Sequence, residues 1–267
     1  MPEILDFSAL THAPFIHARG RGGTRALMEM LRPEAGEAVL ELGFGTGHTL
    51  VEVAAMAPGT VLYGVEKSPL MLRTAAARLR FCGLRGIHMQ IYGDRLPFAD
   101  QFFDAVYCES VLAILPDEVL PGMFHEIFRV LKAGGRFCCN ESLWLPAVEM
   151  ETIKQINREC RAAFGLVQAS AAFGFPEQWF ELGTAAGFER MHSVSLRHLP
   201  GFQRPPFNRK RFLSEVFSRM GWLKAYLPGE IRRSKRAWRR AERGLRRYGP
   251  FLEGRLFEFR KPGYSGN

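Results

Sequence analysis

The chain has 267 residues, 47% of them hydrophobic and 24% charged, with a net charge of +9. That size suits one α/β domain with insertions. No apolar run reaches the roughly 18 residues of a membrane span, and residues 1–15 lack the basic start and long apolar stretch of a secretory signal, so a cytoplasmic location is expected. The charge is uneven: residues 200–267 hold 18 Lys+Arg against 5 Asp+Glu, whereas the preceding part carries a small negative excess. A general attraction for polyanions is therefore excluded for the first three quarters of the chain.

Residues 1–36 read as an irregular lead-in, then a helix capped by Thr24 and ending near Leu31, ahead of Pro33 and Gly36. From Glu37 onward, short apolar strands alternate with helices. Strands are predicted at 38–43, 61–66, 87–94, 104–110 and 136–142. Helices are predicted at 48–57, from Pro69 to about Phe81, and from Asp117 to Lys132, the last closed by Gly134 and Gly135. This alternation implies a parallel sheet covered on both faces. After Ser142 the rhythm changes. Residues 148–164 have helical spacing, 165–175 read as a loop, and Pro176 opens a helix that Gly187 stops. Strands follow at 191–199 and 255–261, separated by a basic helical stretch over about 207–247.

The five cysteines match no zinc pattern and read as buried thiols; Cys138 and Cys139, adjacent on a strand, point to opposite faces. Soft-metal chemistry is the alternative for them, and no metal is expected.

The segment from Val39 to Leu50 is an apolar strand, a Gly-x-Gly-x-Gly turn through Gly43, Gly45 and Gly47, and a helix start. Glycines allow positive φ and close approach of a ligand, and the helix end offers free N–H groups. Alone, such a turn is also compatible with a tight connection that binds nothing. Glu66 ends the second strand, 19 residues after Gly47, where a carboxylate can accept from both hydroxyls of a ribose. Asp94 ends the third strand, where it can accept from an exocyclic amine. Glu41, just before the glycines, reads equally as a ligand contact or as a buried carboxylate bonded by backbone amides. A dinucleotide fingerprint would need glycine where His48 stands, which argues against a nicotinamide cofactor.

The stretches ELGFGTGHTL, YGVEKSPLML, GDRLPFADQFFDAVYCESVLAIL and IFRVLKAGGRFCCNE resemble, in order and spacing, the class I S-adenosylmethionine-dependent methyltransferases. They are most similar to the small-molecule branch that includes the ubiquinone and menaquinone biosynthesis enzymes. The resemblance covers residues 36–142 well and 176–191 more weakly. It implies an α/β, Rossmann-like, doubly wound seven-stranded sheet with an antiparallel last strand and helical lid insertions. It divides the chain into an N-terminal lid (1–36), a core (37–199) with a lid insertion at about 143–175, a basic helical insertion (200–253), and a last strand with tail (254–267). It also implies S-adenosylmethionine as cofactor, with Gly43, Gly45 and Gly47 around the methionine moiety and Glu66 on the ribose. Lys67 and Met71 would flank the adenine, and Asp94 would meet its amine. Arg95 and Glu109 are counted with the cofactor contacts, although the loop after Asp94 is shorter than in relatives and Arg95 occupies a position where a small residue is common.

Methyl transfer is an in-line displacement, so a base is needed only when the acceptor must lose a proton. Glu109, after the fourth strand, is the first candidate for acceptor contact or proton removal, beside the methyl group. His12 and His17 in the lead-in are alternative bases, and Asn140 and Glu141 face the same region. Tyr107-Cys-Glu-Ser110 lacks the signature of enzymes that methylate exocyclic base amines. Trp144, Phe173, Phe175 and Trp179 read as pocket lining or ordinary core. A small, lipophilic acceptor is expected. The helix at 231–247 puts Ser234, Trp238, Ala241 and Leu245 on one face and arginines elsewhere. It reads as a solvated helix or as a peripheral contact with an anionic membrane. Nucleic-acid binding, by an RNA-directed or noncatalytic relative, is the remaining alternative. The oligomeric state is not legible.

Overall fold

The protein's computed structural model describes residues 3–15, 17, 19–93, 95–198, 206–227 and 229–263. Seven strands form one sheet: β1 (Ala38–Leu42), β2 (Val61–Glu66), β3 (His88–Ile91), β4 (Phe103–Glu109), β5 (Leu131–Trp144), β6 (Arg190–Ser195) and β7 (Leu252–Arg260), in the order β3-β2-β1-β4-β5-β7-β6. The first five are parallel, and β7 runs antiparallel between β5 and β6. The doubly wound sheet with an antiparallel last strand is thus the observed one. Strand order reverses between β1 and β4, so a crevice opens at their carboxyl ends.

The helices are α1 (Ile4–Leu10), α2 (Gly20–Leu31), α3 (His48–Met56), α4 (Pro69–Phe81), α5 (Leu120–Val130), α6 (Met150–Phe164), α7 (Pro176–Ala186), α8 (Arg209–Leu223) and α9 (Glu230–Leu245). Local chemistry explains several ends. Ser68 caps α4 by accepting from the Met71 amide at 3.2 Å, with Pro69 at the first helical position. Gly187 closes α7 in the left-handed conformation, φ 103°.

Three expectations need correction. The lead-in contains α1, whose Phe7 packs edge-on against Trp238 of α9 at 4.4 Å. A seven-residue helix is too short to hold itself in water; tertiary packing makes it. Thr24 is not a cap: α2 starts at Gly20, and Thr24 is buried inside it. The predicted helix from Asp117 runs only from Leu120 to Val130, because Leu131 already pairs with Phe103 and β5 absorbs Gly134 and Gly135.

Alternation along the strands separates two faces. Leu40, Leu42, Val65, Val106, Cys108 and Cys139 join the large core beneath α5 and α7. Val39, Leu62, Ala105, Tyr107 and Cys138 join the smaller core beneath α2. Cys138 and Cys139 therefore do face opposite ways. All five cysteines are buried free thiols, and burial raises the ionisation of Cys138 and Cys139 above the ordinary range. Trp144 and Trp179 are fully buried: their indole N–H groups donate to Ser170 O (2.8 Å) and Phe173 O (2.9 Å). They are core, not pocket lining. No helix among the described residues is long and apolar enough to cross a membrane.

Arg136 of β5 fastens α2 to the sheet. Its guanidinium donates to Leu31 O, to Arg32 O at 2.8 Å and to both Glu37 oxygens, so it satisfies carbonyls that the helix end leaves open. Arg136→Met should cost about 2 kcal/mol in urea unfolding, and amide exchange should accelerate first in α2.

Candidate active site

The turn after β1 is a glycine structure for two reasons. Gly43, Gly45 and Gly47 have φ of 72°, 52° and 74°. A Cβ on Gly43 would also lie 2.5 Å from Val111, and one on Gly47 2.8 Å from Ala75 of α4. Gly64 of β2 belongs to the same construction, because a Cβ there would lie 2.6 Å from the Phe44 ring. Nothing in the strand pattern singled out Gly64; an isolated strand glycine is the only hint.

Glu66 faces this turn. Its carboxylate accepts from Gly45 N at 2.9 Å, Lys67 N at 2.8 Å and Ser68 N at 3.0 Å. It is half-buried and held by backbone amides, so it is an oriented acceptor beside the helix start. Met71 is buried, and Lys67 extends over the Tyr92 ring at 5.3 Å. Asp94 lies outside the described residues. Arg95 does not join the group: its side chain is 72% exposed and pairs with Glu126 of α5 at 3.5 Å. The expected contact of Arg95 with the cofactor is corrected accordingly.

Across the reversal point sits a second polar cluster. Glu109 is buried at the end of β4, where Ser110 turns the chain with φ 55°. Its carboxylate accepts from Thr24 Oγ1 at 2.9 Å, Thr49 Oγ1 at 3.2 Å and Asn140 Nδ2 at 3.1 Å, and lies 3.2 Å from His17 Nε2. Four elements and the lead-in converge here. Thr24 reads from the sequence only as a cap and Thr49 only as part of a helix start, because neither has a local signal for a contact with a residue 85 or 60 positions away. Asn140 faces the cluster, whereas its neighbour Glu141 does not. Glu141 lies on the opposite side of β5 and accepts from the amides of Val111, Leu112 and Ala113 at 3.0, 3.0 and 3.1 Å. Burial pushes its carboxyl up to about 7.

His12 is likewise corrected as a base. Its ring stacks on Phe217 at 4.2 Å, and its nitrogens meet Phe217 O (3.1 Å) and Lys224 Nζ (3.3 Å). It buttresses α8. Glu41 is buried and bonded by the Tyr107 hydroxyl at 2.8 Å rather than by backbone amides. Burial and the neighbouring carboxylates raise its ionisation well above the usual range.

Arg78 of α4 ties these parts together. It is fully buried and donates to Thr46 O (2.8 Å), His12 O (2.9 Å), Ser214 O (2.9 Å) and the hydroxyls of Ser214 (2.9 Å) and Ser218 (2.8 Å). One guanidinium therefore clamps the glycine turn, the lead-in and α8. Thr46 also donates to Ala13 O at 2.6 Å. Beside it, His48 Nδ1 lies 2.8 Å from Ser214 Oγ, and Nε2 lies 3.5 Å from Glu52, which pairs with Arg21 and Arg211. Arg78 Nη1, which can only donate, lies 3.3 Å from Nδ1, so Nδ1 accepts and the proton sits on Nε2; burial holds the imidazole down to about 4.

Chemically, the crevice offers an oriented carboxylate against a glycine turn and, across the sheet reversal, an imidazole–carboxylate pair able to move a proton. Among the described residues, no group of three His, Cys, Asp or Glu side chains could hold a metal ion.

This fold and this pair of clusters define a class I, Rossmann-like methyltransferase. The sequence profile of the family described as "Methyltransferase domain" matches residues 39–135. An uncharacterized methyltransferase of Bacillus subtilis is 32% identical over 205 residues, covering 73% of this chain and 78% of that one. The demethylmenaquinone methyltransferase of Roseiflexus castenholzii is 31% identical over 45% of this chain, which spans about half (49%) of that enzyme. The Haemonchus contortus phosphoethanolamine N-methyltransferase 2, solved with S-adenosylmethionine, superposes with a TM-score of 0.67 at 17% identity, over 97% of this chain and 56% of that one. The chain belongs to the S-adenosylmethionine-dependent methyltransferases, and S-adenosylmethionine is its cofactor.

His48 and Glu141 respond to acid in opposite directions. Below 6.5 the unfolded chain protonates at His48 while the folded chain waits until about 4, so stability is lost as pH falls. The Glu141 carboxyl protonates at about 7 in the fold and at 4.5 when unfolded, so its contribution grows over nearly the same window. Glu141→Gln removes the compensating group. Its unfolding free energy should fall by on the order of 2 kcal/mol more than that of the wild type between about pH 7.5 and 5.

Proposed function

We propose that this enzyme transfers the methyl group of S-adenosylmethionine to a small, lipophilic molecule, with the cofactor between the glycine turn and Glu66 and the acceptor beside Glu109. The carrying observation is Glu66, fixed by three backbone N–H groups against the turn at the reversal point of the sheet. The donor set fits the group: the anchored carboxylate keeps an acceptor site on Oε2 for a ribose hydroxyl, and the turn brings bare backbone close. Gly43, Gly45 and Gly47 would hold the methionine moiety. Lys67 and Met71 would border the adenine, with Asp94 at its amine. Glu41 would support the turn from beneath, through Tyr107.

The cofactor supplies an already electrophilic methyl carbon. The chain's own residues align the acceptor, exclude water and take its proton. His17 is the base in this reading. Glu109, anchored by Thr24, Thr49 and Asn140, balances the positive charge that develops on the imidazole. Closure of the lead-in over the turn, through Thr46 and Arg78, excludes water. An acceptor such as that named in the demethylmenaquinone methyltransferases fits the expected lipophilic class. Peripheral contact with an anionic membrane, which would bring such an acceptor within reach, belongs to the same reading.

Calorimetry with S-adenosylhomocysteine tests the cofactor assignment. Glu66→Ala should weaken binding by about tenfold or more, the range for lost hydrogen bonds to a charged group, and unchanged affinity refutes it. For the base, labelled cofactor and a quinol-type acceptor series give kcat. His17→Ala and Glu109→Gln should each lower kcat by about a hundredfold with little change in cofactor affinity. An unaltered kcat in both variants would show that the acceptor needs no base.

A further inference from the structure

The outer face of α8 and the corner that follows it carry large apolar side chains to solvent. Phe212, Met220 and Leu223 recur on one side of α8, and Tyr226 and Leu227 continue beyond it. Met220, Leu223, Tyr226 and Leu227 are 53–65% exposed. Arg219 and Lys224 are exposed among them. Single exposed apolar residues are ordinary; a run of them at one corner marks an interaction surface.

The corner leads directly into α9, which holds seven cations against Glu230 and Glu242. Its buried side is Ser234, Lys235, Trp238 and Leu245; Arg232, Arg233, Arg236, Arg239, Arg240 and Arg243 are exposed. Lys235 joins helix and corner: its ammonium lies 4.6 Å from the Trp222 ring centroid and 3.8 Å from that of Tyr226. The apolar corner therefore packs beside the arginine helix. Next to both, a cavity of about 570 Å³ between α1, α6 and α9 is walled by Phe7, Phe164, Trp238 and Phe251, with Arg239 and Arg246 also among its lining residues.

We propose that this surface docks the enzyme on an anionic lipid bilayer, with Met220, Leu223, Tyr226 and Leu227 entering the interface and the α9 arginines contacting lipid headgroups. Charge complementarity selects an anionic partner. The aliphatic side chains select lipid over nucleic acid, since Leu and Met offer a polyphosphate strand neither charge nor a stacking face. Cations flanking an apolar insertion element are the arrangement of interfacial membrane binding. The inference deepens the membrane part of the reading above, and its test measures binding without turnover, so its failure leaves methyl transfer standing.

Co-sedimentation of the full chain with phosphatidylcholine vesicles, with and without phosphatidylglycerol, decides the matter. The wild type should partition onto the anionic vesicles and weakly onto neutral ones. Two double variants, Leu223→Glu with Leu227→Glu and Arg236→Glu with Arg240→Glu, replace exposed residues, and circular dichroism checks their folding. Each should reduce partitioning by about tenfold or more. The proposal is overturned if anionic vesicles bind no better than neutral ones, or if the leucine variant partitions as the wild type does. Salt-sensitive binding of single-stranded RNA in place of vesicles overturns it equally.

Discussion

The buried guanidinium of Arg78 is the constraint on which the rest of the site depends. A charge removed from water is tolerated only when hydrogen bonds replace its hydration. Here the replacements are neutral oxygens drawn from three separated segments: Thr46 in the glycine turn, His12 in the lead-in, and Ser214 and Ser218 on α8. Burial pulls the guanidinium down to about 10, which still leaves it charged at neutral pH. The turn, the lead-in and the basic insertion are thereby one cooperative unit: moving any of them strands a buried cation. Insertions elsewhere in the chain hold a backbone turn that was already the obvious place for a ligand.

The sheet then sorts chemistry by side-chain parity. Glu41, Glu66, Glu109 and Asn140 all occupy positions of one face, at or near the carboxyl ends of parallel strands. The other face is given to the large aromatic core, where Trp179 stacks on Phe257 at 5.1 Å. The exception is Glu141, and its location explains it. It turns to the apolar side because three amides following β4 need an acceptor there. A single-residue step along β5 thus separates an asparagine beside the candidate base from a carboxylate that organises backbone.

Function follows from joining these two features. The reversal between β1 and β4 opens a crevice whose walls are Glu66 with its turn on one side and Glu109 with His17 on the other. His17 and Ala13 of the lead-in are both fixed by groups of the core. The C-terminal insertion has a second character, with one side tied to Arg78 and the other carrying apolar and cationic side chains outward. The same segment steadies the glycine turn and presents that outer side to solvent.

Much of the scaffold was legible in the chain because its signals are local. Alternating apolar strands and helices, Pro69 and Pro176 at helix starts, Gly187 at a helix end, and the glycine turn followed by Glu66 all act within a few residues of themselves. They determined the layered fold, the family and the glycine turn. Contacts across the fold decided the remainder. Thr24 and Thr49 became ligands of Glu109, Gly64 became the seat of Phe44, His12 was diverted to α8 while His17 reached the crevice, and α1 formed at all. None of these has a periodicity or a cap to announce it. Each depends on which distant segment arrives beside it, and that is set by the packing of the whole chain.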